Sequence, residues 1–443
     1  MGYQAKIEKE IEVFKDNFNV HDLPEAHNYI MCKYVVKKLK ETFGFSSYDE
    51  MIINCLNLIK SQKDESDIKI LSLGSGNCDL EVNLALKNNI KAKFYLYEIN
   101  SHMLDRGQLL VHEKLGAGNN FEFVQCDINK LELHQQFDII LACHSLHHLV
   151  ELEHIFNEIH RNMTDKSYFI VNDMIGRNGH MFWDNTFSIV NSLWRTLPKE
   201  LKYSNSLKSH FKNRIQWDWS VEGFEGIRAQ DILPILDKTF NFKDFAPFWS
   251  ISNRFIDREY GHNYDLNNDF HKELLDMIFT YDDYFLTNKM LKPTQMFATL
   301  VKKDVEVFDY KYLYFENPRD AYVQDETRIW DHFDNYTNET KEVLKAKTGS
   351  RPIFIWGAGI FGIQILFLLR DLGFNIQGFI DSNPMKHADT VEEMPVYAPV
   401  ALNGGYESKP FIVIGTIPKH HKEIEAQLKK LGFDIENDCW SYL

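Results

Sequence analysis

Paired cysteines are missing from this sequence. The six cysteines, at positions 32, 55, 78, 126, 143 and 439, form no CxxC pair and no metal-ligand spacing. That pattern points to reduced thiols in a cytoplasmic protein, with no metal expected. A basic surplus is missing as well. With 49 Lys and Arg against 64 Asp and Glu, the formal net charge is −15, so no nucleic-acid partner is expected. Nor is there an unbroken apolar span. The longest run, Ile353 to Leu369, is interrupted by Gly357, Gly359, Gly362 and Gln364; it reads as strand, turn and helix, with no membrane insertion. The opening "MGYQAKIEKE" lacks the apolar core of a signal peptide, and Lys6 stands where N-myristoylation wants Ser or Thr. No internal repeat or low-complexity tract stands out.

What is present is a globular composition, 44% apolar and 14% aromatic, over 443 residues. That length is too great for one ordinary core. Residues 1–60 read as a helical segment, and alternation follows. "IKILSLG" (68–74), "AKFYLYEI" (92–99), "FEFVQCD" (121–127), "FDIILAC" (137–143) and "SYFIVNDMI" (167–175) read as strands. Amphipathic helices separate them. In "LVELEHIFNEIHRNM", Leu152, Ile155, Phe156 and Ile159 fall at helical spacing. Buried strands alternating with such helices predict an α/β, doubly wound, parallel sheet. Ligands on such sheets bind at the carboxyl ends of the strands. The residues placed there are Gly74–Asn77, Glu98, Asp127, Cys143–His148 and Asp173.

A dinucleotide wants GxGxxG, with its pyrophosphate on the helix N-terminus. Here the turn is "GSGNCD", without the third glycine, and Asp79 and Glu81 follow it on the helix. Carboxylates there disfavour a pyrophosphate and suit a cationic sulfonium. Glu98 can accept both hydroxyls of a ribose, and Asp127 an adenine amino group. "LSLGSGNCDLE", the acid in "LYEI", "FVQCDI" and "DIILACHSLHHL", in this order, resemble the class I S-adenosylmethionine-dependent methyltransferases. The resemblance covers roughly residues 61–303. It implies a seven-stranded sheet closed by an antiparallel hairpin, with 242–256 and 294–303 as its arms. It also implies cofactor contacts from Gly74, Ser75, Gly76, Asn77, Glu98, Ile99, Asp127, Ile128, Cys143 and His144. Two positions depart from the family pattern: Ser72 replaces a common acid, and Cys78 a common glycine.

Residues 176–241 and 257–292 interrupt this unit and read as lid or substrate-pocket insertions. They resemble bacterial methyltransferases associated with surface-polysaccharide genes, which implies a sugar or sugar-like acceptor. An alcohol acceptor needs a base within hydrogen-bond reach. His148, His180 and Asp173 are the candidates; burial of Asp173 is expected to raise its pKa towards usefulness. His147 is given a packing or helix-capping role, and His144 lines the cofactor. Arg177 and Arg228 are candidates to hold an anionic substrate group, with surface ion pairing as the alternative. Surface or helix-cap roles are expected for Glu222, Glu225 and His262.

Residues 304–349 read as a helical connector and 350–443 as a second, smaller Rossmann-like unit. "IFIWGAGIFG" carries the full glycine fingerprint, and Asp381 follows about twenty residues later, as a dinucleotide site asks. "GAGIFG", "GFIDSNP", "MPVYAPVAL" and "FIVIGT" resemble the small domain of bacterial sugar N-acyltransferases and deoxysugar C-methyltransferases. That implies a nucleotide-linked sugar held at Gly357, Gly359 and Asp381. The cysteine-rich start of those C-methyltransferases is absent, so O- or N-methylation is favoured over carbon. Two alternatives stay open: an NAD(P)-dependent oxidoreductase using this second turn, and a non-catalytic, nucleotide-sensing assembly protein. Homo-oligomerisation is also left open.

Overall fold

The computed structural model describes residues 3–15, 23–116, 119–214, 216, 218–221, 223–322, 342–387 and 390–441. Glu222 and part of the expected connector (323–341) lie outside the described residues. Packing divides the chain into two units, residues 1–186 with 218–325 and residues 187–217 with 326–443. Among the described residues, no helix is long and apolar enough to cross a membrane.

The first unit is built on strands β1 (Lys69–Leu73), β2 (Lys93–Glu98), β3 (Phe121–Gln125), β4 (Phe137–Cys143), β5 (Met163–Met174), β6 (Phe240–Phe248), β7 (Gln295–Lys302) and β8 (Lys311–Tyr312). They form one eight-stranded sheet in the order β8-β6-β7-β5-β4-β1-β2-β3. β1 to β5 run parallel, with Leu71 opposite Tyr95 on β2 and Ile140 on β4. β7 enters antiparallel between β5 and β6.

Each strand from β1 to β5 earns its place by burying apolar side chains on both faces, except β3 at the edge. Helix Leu152–Arg161 buries Leu152, Ile155, Phe156 and Ile159 in the core against Phe169 and Leu236. These are one face of a helix at i, i+3, i+4 and i+7. Truncating Ile155 to Ala would cost about 2–5 kcal/mol, because close packing permits little collapse.

Two features differ from the expected sheet. There are eight strands rather than seven: the chain after β7 returns, and Lys311 and Tyr312 pair in parallel with Asp244 and Phe245. A short strand laid there covers part of an otherwise open edge. The first hairpin arm also ends early. Trp249 adopts a left-handed φ of 56°, and the next amides turn onto the buried Asp282 carboxylate, from Ser250 (3.0 Å), Ile251 (3.0 Å) and Ser252 (2.8 Å). A short helix, Asn253–Ile256, then replaces the expected strand.

The second unit carries β9 (Ile353–Trp356), β10 (Ile376–Ile380), β11 (Thr390–Val391), β12 (Met394–Tyr397), β13 (Phe411–Ile414) and β14 (Cys439–Ser441), in the order β11-β12-β10-β9-β13-β14. Alternate residues of β9 feed opposite cores. Ile353 and Ile355 pack with Leu366 and Phe379, while Phe354 and Trp356 pack with Ile424 and Leu428. That is the two-sided burial of a sheet covered by helices on both faces.

Candidate active site

The turn after β1 is shaped by two left-handed glycines, Gly74 at φ 70° and Gly76 at φ 55°. A Cβ at Gly74 would stand 2.6 Å from that of Ser145, so only glycine fits there. The turn is tied to the end of β2. Gly74 N donates to Tyr97 O at 2.8 Å, and Glu98 accepts from Gly76 N (3.0 Å), Ile99 N (2.9 Å) and Asn100 N (3.0 Å). Burial raises the Glu98 pKa in spite of these donors and of nearby His148. Ser75 Oγ is buried with no hydrogen-bond partner. Asn77 Oδ1 is held by Arg106 Nε at 3.0 Å. Ser72, which departs from the family pattern, donates to Glu81. The acid at this spot thus comes from the helix, and burial pushes Glu81 up to about 7.

Asp127 caps the turn Ile128–Lys130 through Asn129 N, at 3.1 Å, and Ile128 is buried beneath it. Its carboxylate also accepts from Tyr3 OH at 3.0 Å. The N-terminal helix Tyr3–Lys15 thus lies along the strand ends, a placement the sequence reading did not anticipate. Ile11 O accepts from Asn100 Nδ2 at 3.2 Å, and Lys15 O from Arg106 Nη1 at 2.8 Å. Glu10 Oε1 stands 2.9 Å from His148 Nδ1.

Beyond β4 the chain turns at His144, exposed with φ 52°, whose amide donates to Asn172 O at 2.7 Å. Cys143, half-buried, has its thiol pushed up to about 12 by burial. Asp173, fully buried at the end of β5, organises the following turn. Its Oδ2 accepts from Ser145 N (2.9 Å) and Leu146 N (2.8 Å), and its Oδ1 from Met174 N (2.8 Å) and His147 Nδ1 (2.6 Å). On the other side of His147 stands Glu225, with Oε1 3.5 Å from His147 Nε2 and 2.8 Å from His180 Nε2. Its Oε2 is 3.4 Å from His148 Nε2.

Burial works against a charged His147, but the facing carboxylates of Asp173 and Glu225 reverse this and hold it at about 10. Asp173 shifts the opposite way from the sequence expectation. Burial alone would raise it, but the His147 charge outweighs burial and keeps the carboxyl below its usual range. It is therefore an ion-paired anchor and not a raised-pKa base. Burial is outweighed in Glu225 too, whose carboxyl the histidines hold far below the usual range. Burial lowers His180, which adopts φ 53° in the turn with Gly179.

The structure brings His148, His180 and Asp173 together, and adds two residues the sequence reading set aside, His147 and Glu225. The arginines go elsewhere. Arg177 is buried and donates to Phe182 O (2.8 Å) and Asp184 Oδ1 (3.0 Å). Arg228 pairs with Glu153 and Asp231, each at 2.7 Å. Both are committed to the chain's own acceptors rather than to a substrate anion. His262 is exposed.

In the second unit, a Cβ at Gly357 would lie 2.5 Å from Thr416 Cγ2, whereas one at Gly359 would meet only Lys386 Nζ, at 3.9 Å. Lys386 Nζ reaches the turn from a later segment, donating to Ala358 O (3.0 Å) and Asp381 Oδ2 (3.2 Å). Asp381 accepts from Ala358 N and Asn383 N, both at 2.9 Å. Burial would raise its pKa, but these donors lower it.

Residues 64–233 match the family model described as a methyltransferase domain. Among solved structures, the chain is similar to StiE O-MT residues 961–1257, at 11% identity over 57% of this chain and 75% of that one, with a TM-score of 0.33. It is similar to the O-methyltransferase of a trans-AT PKS multienzyme of Brevibacillus brevis, in complex with S-adenosyl-L-homocysteine, at 10% identity over 64% and 81%, with a TM-score of 0.34. Magnesium protoporphyrin IX methyltransferase (ChlM) from Synechocystis PCC 6803 gives 12% identity over 57% and 83%, with a TM-score of 0.31. No curated protein matches the chain. The stretch matched by the family model contains the glycine turn, Glu98, Asp127, the histidine turn and Asp173. The protein is an enzyme, an S-adenosylmethionine-dependent methyltransferase. Its residues fit that cofactor: a bare main-chain rim at Gly74–Gly76, the unpartnered Ser75 Oγ, and the Glu98 and Asp127 carboxylates at successive strand ends.

Proposed function

We propose that the enzyme methylates an oxygen or nitrogen of a sugar or nucleotide-linked sugar, with His148 as the general base. Gly74–Asn77, Glu98, Ile99, Asp127 and Ile128 hold the cofactor, and Cys143 and His144 line it. When bound, S-adenosylmethionine supplies an electrophilic methyl group. The chain's own part is to orient the acceptor and remove its proton, since displacement at carbon depends above all on positioning. The observation that carries the base assignment is the Glu10–His148–Glu225 arrangement, with one carboxylate at each imidazole nitrogen. Glu10 Oε1 stands 2.9 Å from Nδ1, and Nε2, 3.4 Å from Glu225, is the nitrogen assigned to take the acceptor's proton. Asp173 and His147 form the buried ion pair that fixes this turn. His180 positions Glu225.

A nucleotide-linked sugar is assigned to the second glycine turn. Its support is the open face at Gly359, a main-chain rim suited to a phosphate, with Lys386 held beside it by Ala358 O and Asp381. A methyl-transfer assay with labelled cofactor, run over free and nucleotide-linked sugars, tests the reading. His148→Ala should cut turnover about a hundredfold or more and leave S-adenosylhomocysteine affinity unchanged. Turnover near wild type would remove His148 as base.

A further inference from the structure

We propose that His147, His180 and Glu225 form a binding site for one divalent first-row transition cation. One donor atom from each lies within 4.8 Å of the others, the one such His/Cys/Asp/Glu group found among the described residues. Glu225 Oε1 is the hub, 2.8 Å from His180 Nε2 and 3.5 Å from His147 Nε2. Ligand atoms on one metal at about 2.0–2.2 Å have separations of this kind.

Three further observations favour a built site over a chance cluster. First, His147 gives its other nitrogen to the buried Asp173 carboxylate, at 2.6 Å, and its Nε2, protonated in the metal-free ion pair, would give up that proton to bind the cation. Metal-bound histidines are oriented in this way, because a carboxylate on the far nitrogen fixes the ring and raises its basicity. Second, the three ligand segments are stitched together by main chain beside each ligand. Gly179 N donates to Gly226 O (2.8 Å), and Ile227 N to His147 O (3.1 Å). Third, His180 is held at φ 53°, a costly conformation for a residue with a side chain, between the left-handed glycines Gly179 (φ 60°) and Gly226 (φ 67°). A Cβ on Gly226 would come within 3.0 Å of the His180 ring. Strain of this sort persists where the surroundings over-determine it, and it gathers at functional sites.

The donor set selects the ion class. Two imidazoles and one carboxylate suit zinc, iron(II), cobalt(II) or manganese(II) better than magnesium or calcium, which prefer oxygen. Three protein ligands leave coordination positions open, as in sites that bind water or substrate. Arg254 opposes a cation electrostatically near His180, and the carboxylates of Asp173, Glu225 and Glu10 outnumber it. Beside His148 such an ion would polarise an acceptor hydroxyl and ease its deprotonation. That role rests on the methyltransferase reading; the binding site does not.

The test is titration of tag-free, metal-stripped full-length protein with Co2+, read by visible d–d absorption, then displacement by Zn2+. Saturation at about one equivalent is expected, with affinity weakened at least about tenfold in Glu225→Gln and His180→Gln and, through the orienting carboxylate, in Asp173→Asn. Circular dichroism and S-adenosylhomocysteine calorimetry on each variant confirm folding. No saturable Co2+ spectrum in the wild type overturns the proposal, as does an affinity unchanged in both ligand variants. S-adenosylhomocysteine binding is read separately. Its loss with Co2+ binding intact counts against the cofactor reading, and Co2+ failure with calorimetry intact counts against the metal site alone.

Discussion

Glu10 Oε1 and His148 Nδ1 stand 2.9 Å apart, across 138 residues of chain, so the N-terminal helix places a carboxylate beside the proposed base. Tyr3 on the same helix donates to Asp127. One helix therefore touches both the proposed adenine-side acid and the proposed base.

Replacing Glu10 by Ala should lower kcat by about tenfold to a hundredfold, since a mis-aimed imidazole is a poor proton acceptor. KM for the cofactor should barely move, and Glu10→Asp should recover part of the loss. The check is steady-state methyl transfer. A wild-type kcat in Glu10→Ala would mean the contact only packs the helix.

Glu98→Gln should weaken S-adenosylhomocysteine binding by roughly 1.5–3 kcal/mol, the loss expected when a charged acceptor becomes neutral. The amide oxygen can still accept from Ile99 N and Asn100 N, two of the three backbone donors that Glu98 now serves, so the fold should survive. Calorimetry on the folded variant decides it, and unchanged affinity would remove Glu98 from the ribose site.

His27 packs edge-on to Trp249, with ring centroids 4.9 Å apart, and burial holds it down at about 4. Below its ordinary 6.5 the unfolded chain takes up a proton that the folded chain refuses. Stability should therefore fall as pH drops from about 6.5 to about 4, by up to about 3 kcal/mol from this residue. Denaturant unfolding of wild type and His27→Phe across that window measures it. Parallel pH dependence in the two would show that His27 does not titrate as stated.

Gly359→Val has room for its side chain, with only Lys386 near the new Cβ. The variant should fold, cover the open turn and weaken nucleotide-linked acceptors, leaving S-adenosylhomocysteine affinity alone. Lys386→Ala should weaken the same acceptors by about tenfold, the size of one charge-assisted hydrogen bond. Competition binding with nucleoside diphosphates reads both. If neither variant shifts binding, the second turn is architectural.

How much of this was legible in the chain follows from the range of each interaction. "ILSLGSG", "FYLYEI" and "DIILACHSLHHL" are read within a few residues, because strand burial and glycine φ are local properties. The doubly wound sheet and its ligand-bearing edge follow from them. The eighth strand is a different matter, since two residues at 311–312 pair only because an edge stands open beside them. The same holds for the break after Phe248, where Asp282, more than thirty positions on, collects the amides of Ser250, Ile251 and Ser252.

The site divides along the same line. By itself the sequence determined that the glycine turn, Glu98 and Asp127 stand at successive strand ends, because strand burial is legible locally. Only the tertiary structure showed which groups each histidine faces. His147 looks like a capping residue until Asp173 and Glu225 are found on either side of it, and Asp173 looks like a raised-pKa acid until His147 is found to pair with it. Arg177 and Arg228 look available until Asp184 and Glu153 are in place. Lys386 belongs to no glycine motif, yet reaches one. Ion pairs and ligand sets join residues far apart in the chain, and their charges are tuned by burial, which no local pattern of residues encodes.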